Sequence, residues 1–388
     1  MFGLLNIVVS GGGVAGAGLA CSLSKLADQG EVSITILEKD SKENVGAVKR
    51  GEVIRPEVTK AMNEIGVIDQ IMLNGPVIRE SPRQEVWHSS VGLLGMFDYE
   101  ILTRGYPLMY SPHSLIVKSL YQKINHINDI HVAYKAKSIR AQKREDHQPV
   151  IFFQEGNSKR SEKKIECDLL VVAEGGSSDL RGSLGTDLDF LDYETGYLMA
   201  FLDKPPEVEW GRHCLSPYGF VGLFSMPENM MRAAIEIETK DLKDWLKLDK
   251  NEIRKRLESR LPQVSVTKIK DLGVFYHVIR RHAKSYIGVP NFVLIGDAAH
   301  TTHPMMGQGM SMVFHDIIIL SRLLSSNPTK SFGRKGELEE YQRLAYPFNQ
   351  VIIANNENVF RAFQEIGKDP NKLDGYLPML ESVGFAKQ

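Results

Sequence analysis

Three observations predict an α/β fold, with a parallel-sheet domain interrupted by a mostly antiparallel β-sheet and followed by C-terminal helices. The chain opens on a strand, glycine turn, helix and strand. Near residue 291 it returns to a buried strand that ends in an acid. Between these, from about Thr186, the texture changes to strands; in Arg232–Glu238, Ala233, Ile235 and Ile237 alternate with Ala234, Glu236 and Glu238.

The opening unit is the most specific. Leu4 to Val9 is an apolar run long enough for one buried strand and too short to cross a bilayer. It feeds Ser10 to Gly18, which contains the spacing Gly11-x-Gly13-x-x-Gly16. Leu19, Leu23, Leu26 and Ala27 then fall on one helix face. Val32 to Leu37 forms a second strand ending in Glu38, with Lys39 and Asp40 turning away. Gly11 permits the tight turn, Gly13 lets backbone approach a pyrophosphate, and Gly16 lets helix and strand pack closely. The N–H groups around Val14 and Ala15 open the helix and favour phosphate charge. Glu38 stands about 20 residues beyond the last glycine, where an acid accepts hydrogen bonds from an adenosine ribose. This is a Rossmann-like dinucleotide unit.

Bulk properties narrow the rest. A chain of 388 residues implies roughly two or three domains. Lys+Arg 47 against Asp+Glu 48 gives no global pull toward nucleic acid or an anionic membrane. Cys21, Cys167 and Cys214 are far apart, without metal or redox spacing, and read as buried residues in a reducing compartment. With no basic leader and no run of 18 apolar residues, the expectation is a cytoplasmic protein without an integral membrane segment, either a monomer or a homodimer.

Along the chain, a helix is expected over Glu57–Ile65, stopped by Gly66, and another from Ser114 to about Asn125. Gln84–His88, Gly92–Asp98, His131–Tyr134, Val150–Gln154 and Ile165–Ala173 read as strands. Tyr197–Leu202, Phe220–Phe224 and Leu272–Ile279 continue the sheet, and Asp249 with Glu252 makes a capping box for a helix presenting Ile253 and Leu257. Asn291–Asp297 is a strand, and Gly309–Leu324 a helix. The last fifty residues read as helix, with Leu338, Tyr341, Ala345, Phe348, Ile352, Asn356, Val359 and Phe363 on one face and a kink at Pro347. The expected domains are 1–78 with 105–185 and 276–330 for the nucleotide, 79–104 with 186–275 for a substrate-binding sheet, and 331–388 as helices.

The second informative stretch is Gly296-Asp297-Ala298-Ala299-His300, then Pro304 and Gly307-Gln308-Gly309. A strand delivers Asp297 at its carboxyl end, where open α/β sheets bind ligands. The helix that follows starts on glycines, and its bare N–H groups stabilise negative charge. With these motifs in order from residue 4 to about 325, the chain resembles the single-component FAD-dependent aromatic hydroxylases, of which p-hydroxybenzoate hydroxylase is the type member. The resemblance implies FAD, with NADPH or NADH as a transient co-substrate. It implies that Asp297 contacts the ribityl chain and that backbone from Pro304 through Gly307, Gln308, Gly309 and Met310 lies beside the flavin ring. Glu38 and neighbouring Lys39 would face the adenosine ribose, and Arg50 the pyrophosphate. The family's D-G-x-x-S-x-V-R motif appears as Glu174-Gly175-Gly176-Ser177-Ser178-Asp179-Leu180-Arg181, with glutamate for aspartate and Arg181 retained. His113 stands where an arginine or glutamine usually faces the flavin.

The expected function is therefore FAD-dependent hydroxylation of a small aromatic substrate through a flavin hydroperoxide. Tyr218, Arg212 and His213 in the inserted sheet are the candidate substrate-activating groups. His300 and His303 lack an HExxH arrangement and read as loop residues shaping the pocket. Met305, Met306, Met310 and Met312 read as core or as an adaptable apolar wall. Epoxidation of an apolar substrate is the alternative that uses the same cofactor chemistry; a non-oxygenating FAD oxidoreductase or redox sensor is kept in view by Glu174 and His113. Trp87, Trp210 and Trp245 form no W-x-W pair, which disfavours a halogenase. No second glycine fingerprint marks a separate nicotinamide domain.

Overall fold

A computed structural model describes residues 4–48, 51–75, 83–98, 105–144, 148–156, 162–289, 291–333 and 336–388, with the backbone of 78–80. Apolar runs buried on both faces build a six-stranded sheet in the order Ile287–Gly288, Phe292–Leu294, Leu169–Val172, Leu5–Ser10, Val32–Glu38, Ile130–Tyr134. All neighbours are parallel except the first pair. Strands covered on both sides need no alternation, which is why these segments read as continuous apolar runs. Helix Val14–Ser22 runs beside helix Gly309–Ser326. They approach so closely that a Cβ on Gly18 would sit 2.7 Å from Ile317 Cδ1.

The inserted layer is a nine-stranded sheet. Its order is His300–Thr301, Ile269–Ala283, Leu188–Asp203, Met230–Glu238, Val221–Met226, Gly211–Leu215, Arg83–His88, Gly92–Asp98, Phe385–Lys387. Neighbours are antiparallel apart from Gly211–Leu215 on Arg83–His88. Ile269–Ala283 is one strand running through position 275, and it pairs with His300–Thr301. The two layers are thus joined at the loop that follows Asp297.

Several expected elements differ in detail. Asn291–Asp297 is a strand only over Phe292–Leu294, because Gly296 takes φ +61° and turns the chain into a 3-10 helix, Gly296–Ala298. A strand at Ala136–Lys143 pairs with Pro149–Glu155, and Glu162–Glu166 completes a three-stranded meander. Gly211–Leu215 escapes a period-two reading because all five residues are buried. The helix Glu337–Lys368 contains Pro347 and buries Asn349 where the periodicity favours Phe348, which is 36% exposed. The C-terminal segment also ends in a strand, Phe385–Lys387, not in helix. The capping box at Asp249 and Glu252 forms as expected, with Ile253 and Leu257 buried. Among the described residues no helix is long and apolar enough to cross a membrane.

Candidate active site

A cavity of about 780 Å³ lies between the parallel sheet and the nine-stranded sheet. It extends from the glycine turn, past Asp297, to aromatic side chains of the inserted sheet.

At the first end, Gly11, Gly13, Val14 and Ala15 line the cavity. Gly11 has φ +102°, and a Cβ there would meet the Ala173 carbonyl oxygen at 2.4 Å. Gly16 does not line the cavity; its Cβ would lie 2.0 Å from the Gly11 carbonyl oxygen, so it serves the close turn. At Gly13 an added Cβ would meet nothing within 4 Å. The helix it caps has no side-chain cap, so no side chain takes up its first N–H groups where Gly13, Val14 and Ala15 line the cavity. Buried Glu38 accepts from the Gly12 amide at 2.8 Å and the Asp40 amide at 2.7 Å, so the acid braces the turn while still lining the cavity. A carboxylate offers about four acceptor positions, which leaves capacity for a ligand hydroxyl. Lys39 is exposed on the cavity wall. Arg50 lies outside the described residues.

In the middle, Asp297 sits exposed on the cavity wall in the turn that Gly296 opens. Asp316 organises this turn from the neighbouring helix. It accepts from the Gly296 amide at 2.8 Å and from Asn349 Nδ2 at 3.0 Å, and it lies 2.7 Å from His300 Nε2. Pro304, Gly307, Gly309 and Met310 line the cavity, with Gly307 at φ +62° ending a 3-10 turn, Pro304–Met306. Gln308 instead accepts from Asn356 Nδ2 at 2.9 Å and caps the helix start only through its backbone. Arg55 anchors this loop: its Nε meets Glu57 at 2.8 Å and its Nη1 donates to the Met306 carbonyl at 3.2 Å. Met305, Met306, Met310 and Met312 all border the cavity.

Glu174 lines the cavity and gathers three donors. One oxygen lies 2.6 Å from Ser10 Oγ, and the other accepts from Ser178 Oγ at 2.7 Å and the Leu180 amide at 3.1 Å. The extra methylene lets it bridge the first strand and a short helix, Asp179–Ser183. Arg181 does not reach the cavity; it donates to the carbonyls of Ala298 at 2.8 Å and Gly176 at 3.1 Å, tying this motif to the Asp297 turn. His113 lines the cavity with Nδ1 at 2.7 Å from Glu52 Oε1, a partner that sequence spacing does not reveal.

At the sheet end the three candidates part company. Tyr218 is 69% exposed in a turn and does not line the cavity. Arg212 is buried on the opposite face of its strand, 3.2 Å from Glu85 and over the Trp87 ring. Contrary to the expectation from sequence, both lie away from the chamber. His213 does line it, and so do Tyr197, Met199, Phe220 and Phe224, which the sequence did not single out. Alternation along a strand places residues 212 and 213 on opposite faces, so only one of the two could point inward. His303 is buried against Tyr193 and Phe360, where burial pushes its imidazole down to about 3.

Comparison with known proteins settles the family. A model of the FAD binding domain matches residues 5–356. The chain belongs to that family. This flavoprotein is 23% identical to human "Ubiquinone biosynthesis monooxygenase COQ6, mitochondrial", over 92% of this chain and 85% of the relative. It is 22% identical to "Squalene monooxygenase 1,2" of Brassica napus, over 93% and 68%. Its fold is similar to that of P. aeruginosa PqsL in complex with 2-aminobenzoylacetate, with TM-score 0.81, 19% identity and coverage of 95% and 99%. It is also similar to p-nitrophenol 4-monooxygenase PnpA from Pseudomonas putida DLL-E4, with TM-score 0.71, 18% identity and 99% coverage of both chains.

The residues present fit FAD. Two helix starts without side-chain caps, at Gly13 and at Gln308, open on one cavity, and the open space beyond Gly13 is what a pyrophosphate needs. Among the described residues no group of His, Cys, Asp and Glu could hold a metal ion.

Proposed function

We propose that this flavoprotein is an FAD-dependent monooxygenase that hydroxylates a small aromatic substrate with NADH or NADPH as the electron donor. The single observation behind the reading is the continuity of the cavity from the glycine turn to the aromatic wall of the sheet. Bound FAD would take a hydride from the nicotinamide and, with dioxygen, supply one oxygen atom to the ring while the other leaves as water. The protein's own part is placement. Gly11 and Gly13, with the Val14 and Ala15 amides, would hold the pyrophosphate, Glu38 with Lys39 alongside would face the ribose, and Asp297 the ribityl chain. The amides at Gly307 to Met310 would favour negative charge at the ring's edge. The methionine and aromatic walls would exclude water from the reacting centre. Arg50, His113, Arg181 and Gln308 remain assigned to the cofactor site, the last two by holding its loops. We further assign the protein to the cytoplasm as a monomer or homodimer without a nucleic-acid partner; the COQ6 relatives are named as mitochondrial.

The test is oxidation of NAD(P)H stimulated by simple phenols under labelled dioxygen. One labelled oxygen atom in the product supports the reading, and hydrogen peroxide alone with every ring tried contradicts it. Epoxidation of an apolar alkene is the second reading, favoured by the four methionines on the wall. An epoxide product, with no phenol product, would select it.

A further inference from the structure

His213 is 1% exposed, and neither ring nitrogen has a hydrogen-bond partner. Tyr197 is 2% exposed, and its hydroxyl is likewise unpartnered. Both side chains border the cavity. A buried polar group left unsatisfied is costly, so two in one wall demand an explanation. Their surroundings indicate what would satisfy them. Phe220 and Phe224 flank the imidazole on the cavity wall, with ring centroids 5.3 and 6.0 Å away. Phe97 and Phe363 back it from behind, at 6.0 and 6.2 Å. Such a cage offers edge-to-face contacts to another ring. The imidazole itself is uncharged there: burial pushes His213 down to about 4, so at neutral pH it carries one donor and one acceptor. The Arg232 guanidinium, also on the wall, donates to the Gly51 carbonyl and lies over Phe224.

We propose that His213, with Tyr197, is the hydrogen-bonding end of the substrate chamber and selects an aromatic ring bearing a hydroxyl group. The ring's O–H donates to the unprotonated imidazole nitrogen, and its oxygen accepts from Tyr197. This rests on the aromatic-substrate reading above but concerns recognition, so it is separable from oxygen transfer. A site built to bond a substrate hydroxyl rejects the analogue that lacks it, because its own buried groups then stay unpaired.

The experiment measures binding of 4-methylphenol and 4-methylanisole to the FAD-containing protein by calorimetry, with ¹⁵N spectra of the histidine side chains. The expected result is at least tenfold tighter binding of 4-methylphenol than of 4-methylanisole, with a shift of the His213 ring nitrogens. His213→Phe should remove the preference over 4-methylanisole while keeping FAD content. Tyr197→Phe, which deletes only the hydroxyl, should reduce it, and His213→Asn should restore part of it. Equal affinity for phenol and anisole, or an unchanged preference in both His213→Phe and Tyr197→Phe, would overturn the proposal. If the preference holds and no ring is ever oxygenated, the recognition site stands and the monooxygenase reading fails. If rings are oxygenated but the variants discriminate as the parent does, the reverse follows.

Discussion

His300 Nε2 lies 2.7 Å from Asp316 Oδ2, and both side chains are sealed from solvent. The same carboxylate holds the Gly296 amide, so it fixes the turn that presents Asp297 to the cavity. Replacing Asp316 by Ala leaves His300, Asn349 and an amide unmatched. Each buried polar group left unsatisfied costs about 1–3 kcal/mol. Asp316→Ala is expected to lower thermal stability sharply and to lose flavin, while Asp316→Asn loses less of both. Thermal unfolding and visible flavin absorbance check this.

The three glycines of the fingerprint should fail differently. Gly16→Ala places a Cβ 2.0 Å from a backbone oxygen, and Gly11→Ala adds strain at positive φ, so both are expected to destabilise the fold. Gly13 faces open space, so Gly13→Asp should fold normally by circular dichroism and be purified with less than a tenth of the parent's FAD. Normal FAD content in Gly13→Asp would contradict the assignment of that space to the pyrophosphate.

Much of this end of the molecule was legible in the sequence because the constraints are local. A tight turn, a close helix and a strand-end acid each demand a residue type at a fixed spacing. Asp316, Asn349, Glu52 and Arg55 were not legible, because each acts on a segment distant in the chain through a side chain that carries no spacing signal. The sheet end was half legible. His213 was singled out, but burial of the whole Gly211–Leu215 strand hid the alternation that separates it from Arg212. Tyr218 failed for another reason: it lies in the turn after that strand and points to solvent.

Glu174 offers a test of its extra methylene. Glu174→Asp restores the family's residue but cannot span Ser10 and Ser178 together without a shift. One lost hydrogen bond to a charged group is worth roughly 1.5–3 kcal/mol. Unfolding in denaturant should show a loss of about that size. NAD(P)H consumption per bound flavin is expected to stay within about twofold, since the bridge is structural.

Acid should weaken the fold through buried imidazoles. His213 is held at about 4, and its ordinary value is 6.5. The unfolded chain therefore binds more protons between those values, and stability rises with pH across that window. The contribution is present above pH 6.5 and is lost as pH falls toward 4, at about 1.4 kcal/mol for each unit separating the two values. Melting temperature measured from pH 7 to 4 should fall, and His213→Phe should flatten that fall.

The central claim is that two helix starts, before Val14 and before Gly309, hold one FAD between them. The direct measurement is a crystal structure of the protein reconstituted with FAD. One molecule per chain is expected, its pyrophosphate at Gly13, its ribose at Glu38 and its ring beside Gly307. A protein that takes up no FAD, or density that places the ring away from the Pro304–Gly309 loop, would contradict it.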